Sequence, residues 1–138
     1  MITREDLRKY QEVLNELQGL DVAIEQAYNT YKSPAIMNDY HRTGQPNTDG
    51  PTPRALERIE KLKKKRLEIW EWLERVENGI EEIEDSRERT ICRLHYICGY
   101  TWQATCIQMR KHSSTPMLVE YDRRYWEKRE KERQTESA

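Results

Sequence analysis

Along the first quarter of the chain, apolar side chains return every three or four positions. Leu7, Tyr10, Leu14, Leu17, Ile24, Tyr28 and Tyr31 form one stripe, widened by Val13, Leu20 and Ala27. That is the period of an amphipathic helix, and it predicts one of about 28 residues, interrupted only by Gly19. Thr3 with Asp6 three positions later supplies an N-cap and an acid in the first turn. The pattern then stops. Residues 33–53, "SPAIMNDYHRTGQPNTDGPTP", hold four of the five prolines and two of the five glycines, which predicts a flexible loop.

Thr52 as N-cap and Pro53 at the first helical position open a second helix. Ile59, Leu62, Ile69, Leu73, Val76, Ile80 and Ile83 keep a heptad-like rhythm across 53–84, with Arg66 as the polar member of the stripe. Such a rhythm expects a partner helix along a seam, and the first helix folded back antiparallel is the nearest. A lone two-helix hairpin covers each apolar face poorly, so residues 1–84 are read as a hairpin or coiled coil that dimerises. Asn78-Gly79 marks a place where the second helix bends or ends. The basic run "KLKKKR" (61–66) is interrupted in phase with the stripe by Leu62 and Leu67, is surrounded by acids, and is read as a solvated helix face.

After residue 84 the spacing tightens. Asp85 with Glu88 starts a third helix lined by Ile91, Leu94 and Ile97 and ended by Gly99. Thr101 caps a short helix, "TWQATCIQM", with Trp102, Thr105, Cys106 and Met109 inward. A polar turn, "RKHSS", leads to Thr115-Pro116 and a last helix to about Lys131, with Met117, Tyr121 and Tyr125 inward. Three helices of roughly 12, 9 and 16 residues follow the tri-helical helix-turn-helix plan. The fold class expected is all-α: a hairpin (1–84), a helix-turn-helix (85–133) and a disordered tail (134–138).

Composition sharpens this picture. Charged residues make up 36% of the chain, as many as hydrophobic ones, and there is no phenylalanine, so extended amphipathic helices suit it better than one large core. The net charge of −1 hides an asymmetry. Residues 1–86 carry 13 Lys+Arg against 18 Asp+Glu, and residues 87–138 carry 11 against 7. An acidic front and a basic rear fit a chain whose rear meets nucleic acid. No apolar run approaches the roughly 18 residues needed to cross a bilayer, and "MITREDLRKYQ" lacks a signal-peptide core. Three cysteines do not make a disulfide framework. A cytoplasmic protein with no membrane partner is expected.

The stretch "EDSRERTICRLHYICGYTWQATCIQM", with "DRRYWEK" further on, resembles the helix-turn-helix of small proteins encoded by phages and integrated elements of Gram-positive bacteria. These are similar to region 4 of sigma-70 factors and to late transcription activators of the RinA/ArpU type. "RLHYICG" stands for the family's R-L-R-Y-I-x-G, "TWQ" opens the next helix, and the front half matches the family's long helix, Ser-Pro loop and second long helix. The resemblance implies a DNA-binding transcriptional regulator of a mobile element, acting in the bacterial host cytoplasm, with host RNA polymerase as a further partner.

On that reading the helix 115–131 enters the major groove of double-stranded DNA. Arg110, Lys111, Arg123 and Arg124 hold phosphates, and Ser113, Ser114 and Thr115 meet phosphate or base edges. A homodimer sets half-sites about one helical turn, roughly 34 Å, apart or a multiple of that. Leu118 and Val119 depart from the family by standing where polar readers are expected, and His95 replaces an Arg. Together with Trp70 and Trp72 they make a candidate protein interface. Two other readings therefore remain open. One is a phage-encoded protein-binding factor, docking on RNA polymerase or inhibiting a host defence complex. The other is a small terminase-like subunit that grips packaging DNA as a ring.

Other chemistry finds little footing. Cys92, His95, Cys98, Cys106 and His112 fit no finger or ribbon spacing, so no metal is expected. There is no phosphate loop, nucleophile elbow or His-Glu metal motif. "GIEEIEDS" reads as solvated helix surface. Neither catalytic residues nor a cofactor are expected, and the chain is not read as an enzyme.

Overall fold

A computed structural model describes the chain at residues 1–41, 52–109 and 114–136, and its side chains there outside 30–41. Every regular element among the described residues is helical: α1 (Arg4–His41), α2 (Pro53–Glu81), α3 (Ser86–Ile91), a π-helical segment (Cys92–Ile97), α4 (Trp102–Gln108) and α5 (Thr115–Glu136). None of these helices is long and apolar enough to cross a membrane. The chain divides into two compact units, Met1–Val13 with Leu73–Ala138, and Leu14–Trp72. That division differs from a boundary at residue 84, because the ends of both long helices pack with the carboxy-terminal helices.

In the unit Leu14–Trp72, Leu17 and Ile24 of α1 and Ile59 and Ile69 of α2 are buried. The two helices run antiparallel there: Arg66 Nη1 donates to Asp21 Oδ1 at 3.2 Å, and the Lys63 ammonium lies 5.4 Å from the centre of the Tyr28 ring. The Thr52 hydroxyl caps α2 by accepting from the Ala55 amide at 3.1 Å. α1 continues to His41, through the Ser33-Pro34 pair at which the sequence predicts its end. A proline removes one helical hydrogen bond, and here the backbone resumes its helical course after it. The remainder of the expected loop, 42–51, lies outside the described residues.

The other unit has a core of Leu7, Tyr10, Leu73, Val76, Ile80, Ile83, Ile91, Cys92, Tyr96, Leu118 and Trp126. α2 passes through Gly79 and ends at Glu81. A side chain at Gly79 would overlap Ile2, so the glycine admits the amino terminus against the helix. Asp85 then caps α3, its Oδ1 accepting from the Arg87 and Glu88 amides at 2.9 and 3.2 Å. Arg89 ties α3 to the preceding turn by donating to the Ile83 carbonyl at 2.6 Å.

The third predicted helix is not a uniform α-helix. From Cys92 it widens to the π form, with the Cys98 amide bonded to the Arg93 carbonyl five residues back at 2.9 Å. The extra residue per turn rotates the inward face. Glu88, Ile91, Cys92 and Tyr96 are buried, while Leu94 and Ile97 are half-buried. Gly99 ends the segment at φ +77°, a left-handed conformation suited to glycine. Gln11 of α1 satisfies two carbonyls left over at this terminus, donating to Tyr96 O at 3.1 Å and Ile97 O at 2.6 Å.

Candidate nucleic-acid interface

α4 is set by its cap and its stack. The Thr101 hydroxyl accepts from the Ala104 amide at 3.1 Å, and buried Thr105 donates its hydroxyl to the Thr101 carbonyl at 2.8 Å. Trp102 stacks on His95 with ring centres 3.8 Å apart and planes at 22°. His95 Nδ1 donates to the Tyr100 carbonyl at 2.7 Å. Burial lowers the pKa of His95, outweighing that hydrogen bond, so the ring is neutral at physiological pH.

α5 opens on Ser114, whose hydroxyl accepts from the Met117 amide at 3.4 Å. Its inward face is Leu118, Asp122 and Trp126, at four-residue spacing. This corrects two expectations. Met117, expected inward, is 63% exposed, and Leu118, expected on an apolar interface, is 1% exposed. The helix is turned one position from the predicted phase because Asp122, a polar residue that sequence patterning assigns to the surface, is anchored inside. Val119 is half-buried. Ser114, Arg123 and Arg124 are exposed and Thr115 half-buried, whereas Arg110, Lys111 and Ser113 lie outside the described residues. Trp70 is exposed and Trp72 half-buried, both in the other unit.

The anchor is a buried polar cluster. Asp122 Oδ2 accepts from the Tyr96 hydroxyl at 2.7 Å and from Arg4 Nη2 at 3.3 Å. Arg4 Nε donates in turn to the Tyr96 hydroxyl at 3.5 Å. On the other side, Glu88 Oε1 accepts from the Trp126 indole at 2.9 Å and from the Cys92 thiol at 3.6 Å. Glu88 Oε2 and Asp122 Oδ1 are buried with no other hydrogen-bond partner among the described residues. The two carboxyl groups are within reach of each other, and one proton on Glu88 shared with Asp122 gives both oxygens a partner. Burial, and then the neighbouring Asp122, hold the pKa of Glu88 far above the carboxylate range. Burial likewise raises the Tyr96 hydroxyl and the Cys92 thiol.

A second acid joins α3 to α5. Tyr121 donates its hydroxyl to Asp85 Oδ2, the other oxygen of the α3 cap, and the Arg87 guanidinium lies 4.7 Å from the centre of the Tyr121 ring. Burial works against the charge of Asp85, but hydrogen bonds from Tyr121 and from the Glu88 and Arg87 amides outweigh it and lower its pKa.

Glu88, Cys92 and Asp122 bring donor atoms within 4.8 Å of one another, close enough to grip a cation. The Trp126 indole and the Arg4 guanidinium at their oxygens are instead the surroundings of an acid pair. The zinc candidates are not brought together: Cys92 is buried beside Glu88, Cys98 is exposed, Cys106 is half-buried, and His95 lies on Trp102. His112 lies outside the described residues.

Outside this anchor, α5 carries ion pairs. Arg123 donates to Glu120 Oε2 at 2.9 Å and to Glu127 Oε1 at 2.5 Å, and Arg124 donates to Glu120 Oε1 at 3.0 Å. The Glu120 carboxyl is pulled down to about 2, first by the hydrogen bond from Arg123. Sequence reasoning found these two arginines but not their acids. It also missed Arg4, Glu88, Tyr96 and Asp122, although Glu88 and Asp122 stand in phase with apolar neighbours, which was the available signal. Comparison of the chain with family models, curated proteins and solved structures finds no match to any.

Proposed function

We propose that this all-helical chain is a DNA-binding transcriptional regulator of a phage or integrated mobile element, with α4 and α5 as its helix-turn-helix and α5 in the major groove. The observation that carries the reading is the phase of α5. Leu118, Asp122 and Trp126 fix one side to the core, so Ser114, Met117, Arg123 and Arg124 stand on its exposed surface. A reading helix needs such a fixed base, because base-edge contacts depend on placement within fractions of an ångström.

The hydroxyls at 114 and 115 open the helix and meet phosphate or base edges, as helix amino termini do. Met117 supplies an apolar contact, for instance to a thymine methyl. Arg123 and Arg124 exchange Glu120 for phosphate on binding. Because these arginines are neutralised in the free protein, the non-specific attraction is weak and most of the affinity comes at sites that fit. Fluorescence anisotropy on duplexes tiled across the neighbourhood of the protein's own gene tests this. A preferred duplex, bound more weakly by Arg123→Ala/Arg124→Ala, is expected, whereas uniform binding no stronger than to random DNA overturns the reading.

A second reading is supported by those same ion pairs. With Glu120 and Glu127 holding Arg123, and Met117 63% exposed, the outer face of α5 is close to neutral and partly apolar. Such a face suits a protein-binding factor, docking on RNA polymerase or inhibiting a host defence complex. Apolar docking changes little with salt, whereas phosphate contact weakens by about 0.9 log units per log unit of salt for each phosphate neutralised.

A further inference from the structure

The unit Leu14–Trp72 carries apolar surface that its own packing leaves open. Leu56, Leu67 and Trp70 of α2 are 42%, 58% and 53% exposed, while Ile59 and Ile69 of the same helix are buried. At roughly 100° per residue, positions 56, 63, 67 and 70 fall on one stripe about a quarter-turn round from the buried face. Lys63 and Glu74 are the polar members of that stripe, and Glu60, Lys64 and Glu71 flank it, all exposed. Exposed leucine and tryptophan in line along a helix mark a docking seam.

We infer that the occupant of this seam is a second copy of the chain, its α2 lying antiparallel about a two-fold axis beside Leu67. The order of charges along the helix selects that partner. Before Leu67 stand Glu60 and then Lys61, Lys63, Lys64, Lys65 and Arg66, and after it Glu68, Glu71 and Glu74. Parallel pairing of two copies sets like charge on like. Antiparallel pairing about Leu67 sets Lys63 of each copy against Glu71 of the other, and Lys64 against Trp70, whose indole face attracts an ammonium. Its one like-charge match among these side chains is Glu60 with Glu74, whereas parallel pairing opposes like charges at every charged position. Each contact occurs twice, as in any two-fold interface, and Leu67 meets its own mate at the centre. Exposed ion pairs add little affinity singly, but reversing them twice over is repulsive and fixes both register and direction. This inference is independent of the DNA reading.

Sedimentation velocity of the full chain over about 1–100 µM tests it, a range that brackets micromolar association. The expected result is a reversible dimer that becomes a monomer in Leu67→Glu/Trp70→Glu with helicity unchanged. Lys63→Glu and Glu71→Lys each raise the dissociation constant about tenfold, and the double reversal Lys63→Glu/Glu71→Lys returns it to within about threefold of the parent. These two sites are exposed, so the reversals remain informative if the apolar variant fails to fold. A parent chain that stays monomeric overturns the proposal. So does an oligomer indifferent to both sets of variants, or a double reversal that stays as weak as the single ones.

Discussion

Glu88 shows how much one buried proton governs. The folded protein holds it well above the pH at which a free glutamate ionises, so folding in neutral solution carries a proton that the unfolded chain has released. Its stabilising contribution is therefore full below about pH 4.5 and is lost as pH rises towards the folded-state pKa. His95 has a lowered pKa and acts oppositely, adding stability as pH rises towards about 6.5. Asp85 and Glu120 have lowered pKa values, and their contributions are lost only in acid. Between about pH 7 and 7.5 the slope belongs to Glu88, and it is at most about 1.4 kcal/mol per pH unit; nearer pH 8.5 the raised Cys92 thiol adds to it with the same sign. Thermal unfolding across that range is expected to show the melting temperature falling with pH, and Glu88→Gln to flatten the fall; a slope unchanged in the variant contradicts the shared proton. Neighbouring positions on α5 separate just as sharply. Leu118→Ala is expected to cost about 2–5 kcal/mol in urea unfolding, and Met117→Ala less than about 0.5 kcal/mol. Equal losses would return α5 to its sequence-predicted phase.

At the scale of elements, helix starts were the most legible feature. Thr52, Asp85 and Thr101 all cap where the sequence places them, because a side chain accepting amide protons two or three residues ahead is a local device. Asp85 also holds Tyr121, so Asp85→Ala is expected to destabilise by about 1–2 kcal/mol; denaturant curves overlapping those of the parent would show that neither bond matters. Helix interiors were harder. The π turn at Cys92–Ile97 has no period of its own in the sequence, and it moved Tyr96 inward at the expense of Leu94 and Ile97. The phase of α5 was missed for a related reason. Hydrophobic patterning assigns Asp122 to water, and only Arg4 and Tyr96, 118 and 26 residues away, make its burial affordable. The end of α1 was misread because Ser33-Pro34 resembles a terminator.

At the scale of the whole molecule, the all-helical class was legible from periodicity alone, since no stretch alternates as a strand does. The division into units was not. Patterning treats each long helix as one body, whereas Arg4 and Gln11 commit the first turns of α1 to the carboxy-terminal helices, through hydrogen bonds to residues more than 80 positions distant. On the outer face of α5 the sequence pointed to Arg123 and Arg124, which are exposed, but not to the Glu120 and Glu127 side chains that neutralise them. Those acids make the central claim quantitative. Association with the preferred duplex should be measured as a function of salt for the parent chain and for Arg123→Ala/Arg124→Ala. If α5 lies in the groove with both arginines on phosphates, the slope of log affinity against log salt is expected to shrink by about two in the variant. A slope that the variant leaves unchanged, or no binding to any duplex, contradicts that placement and leaves the helices as a platform for a protein partner.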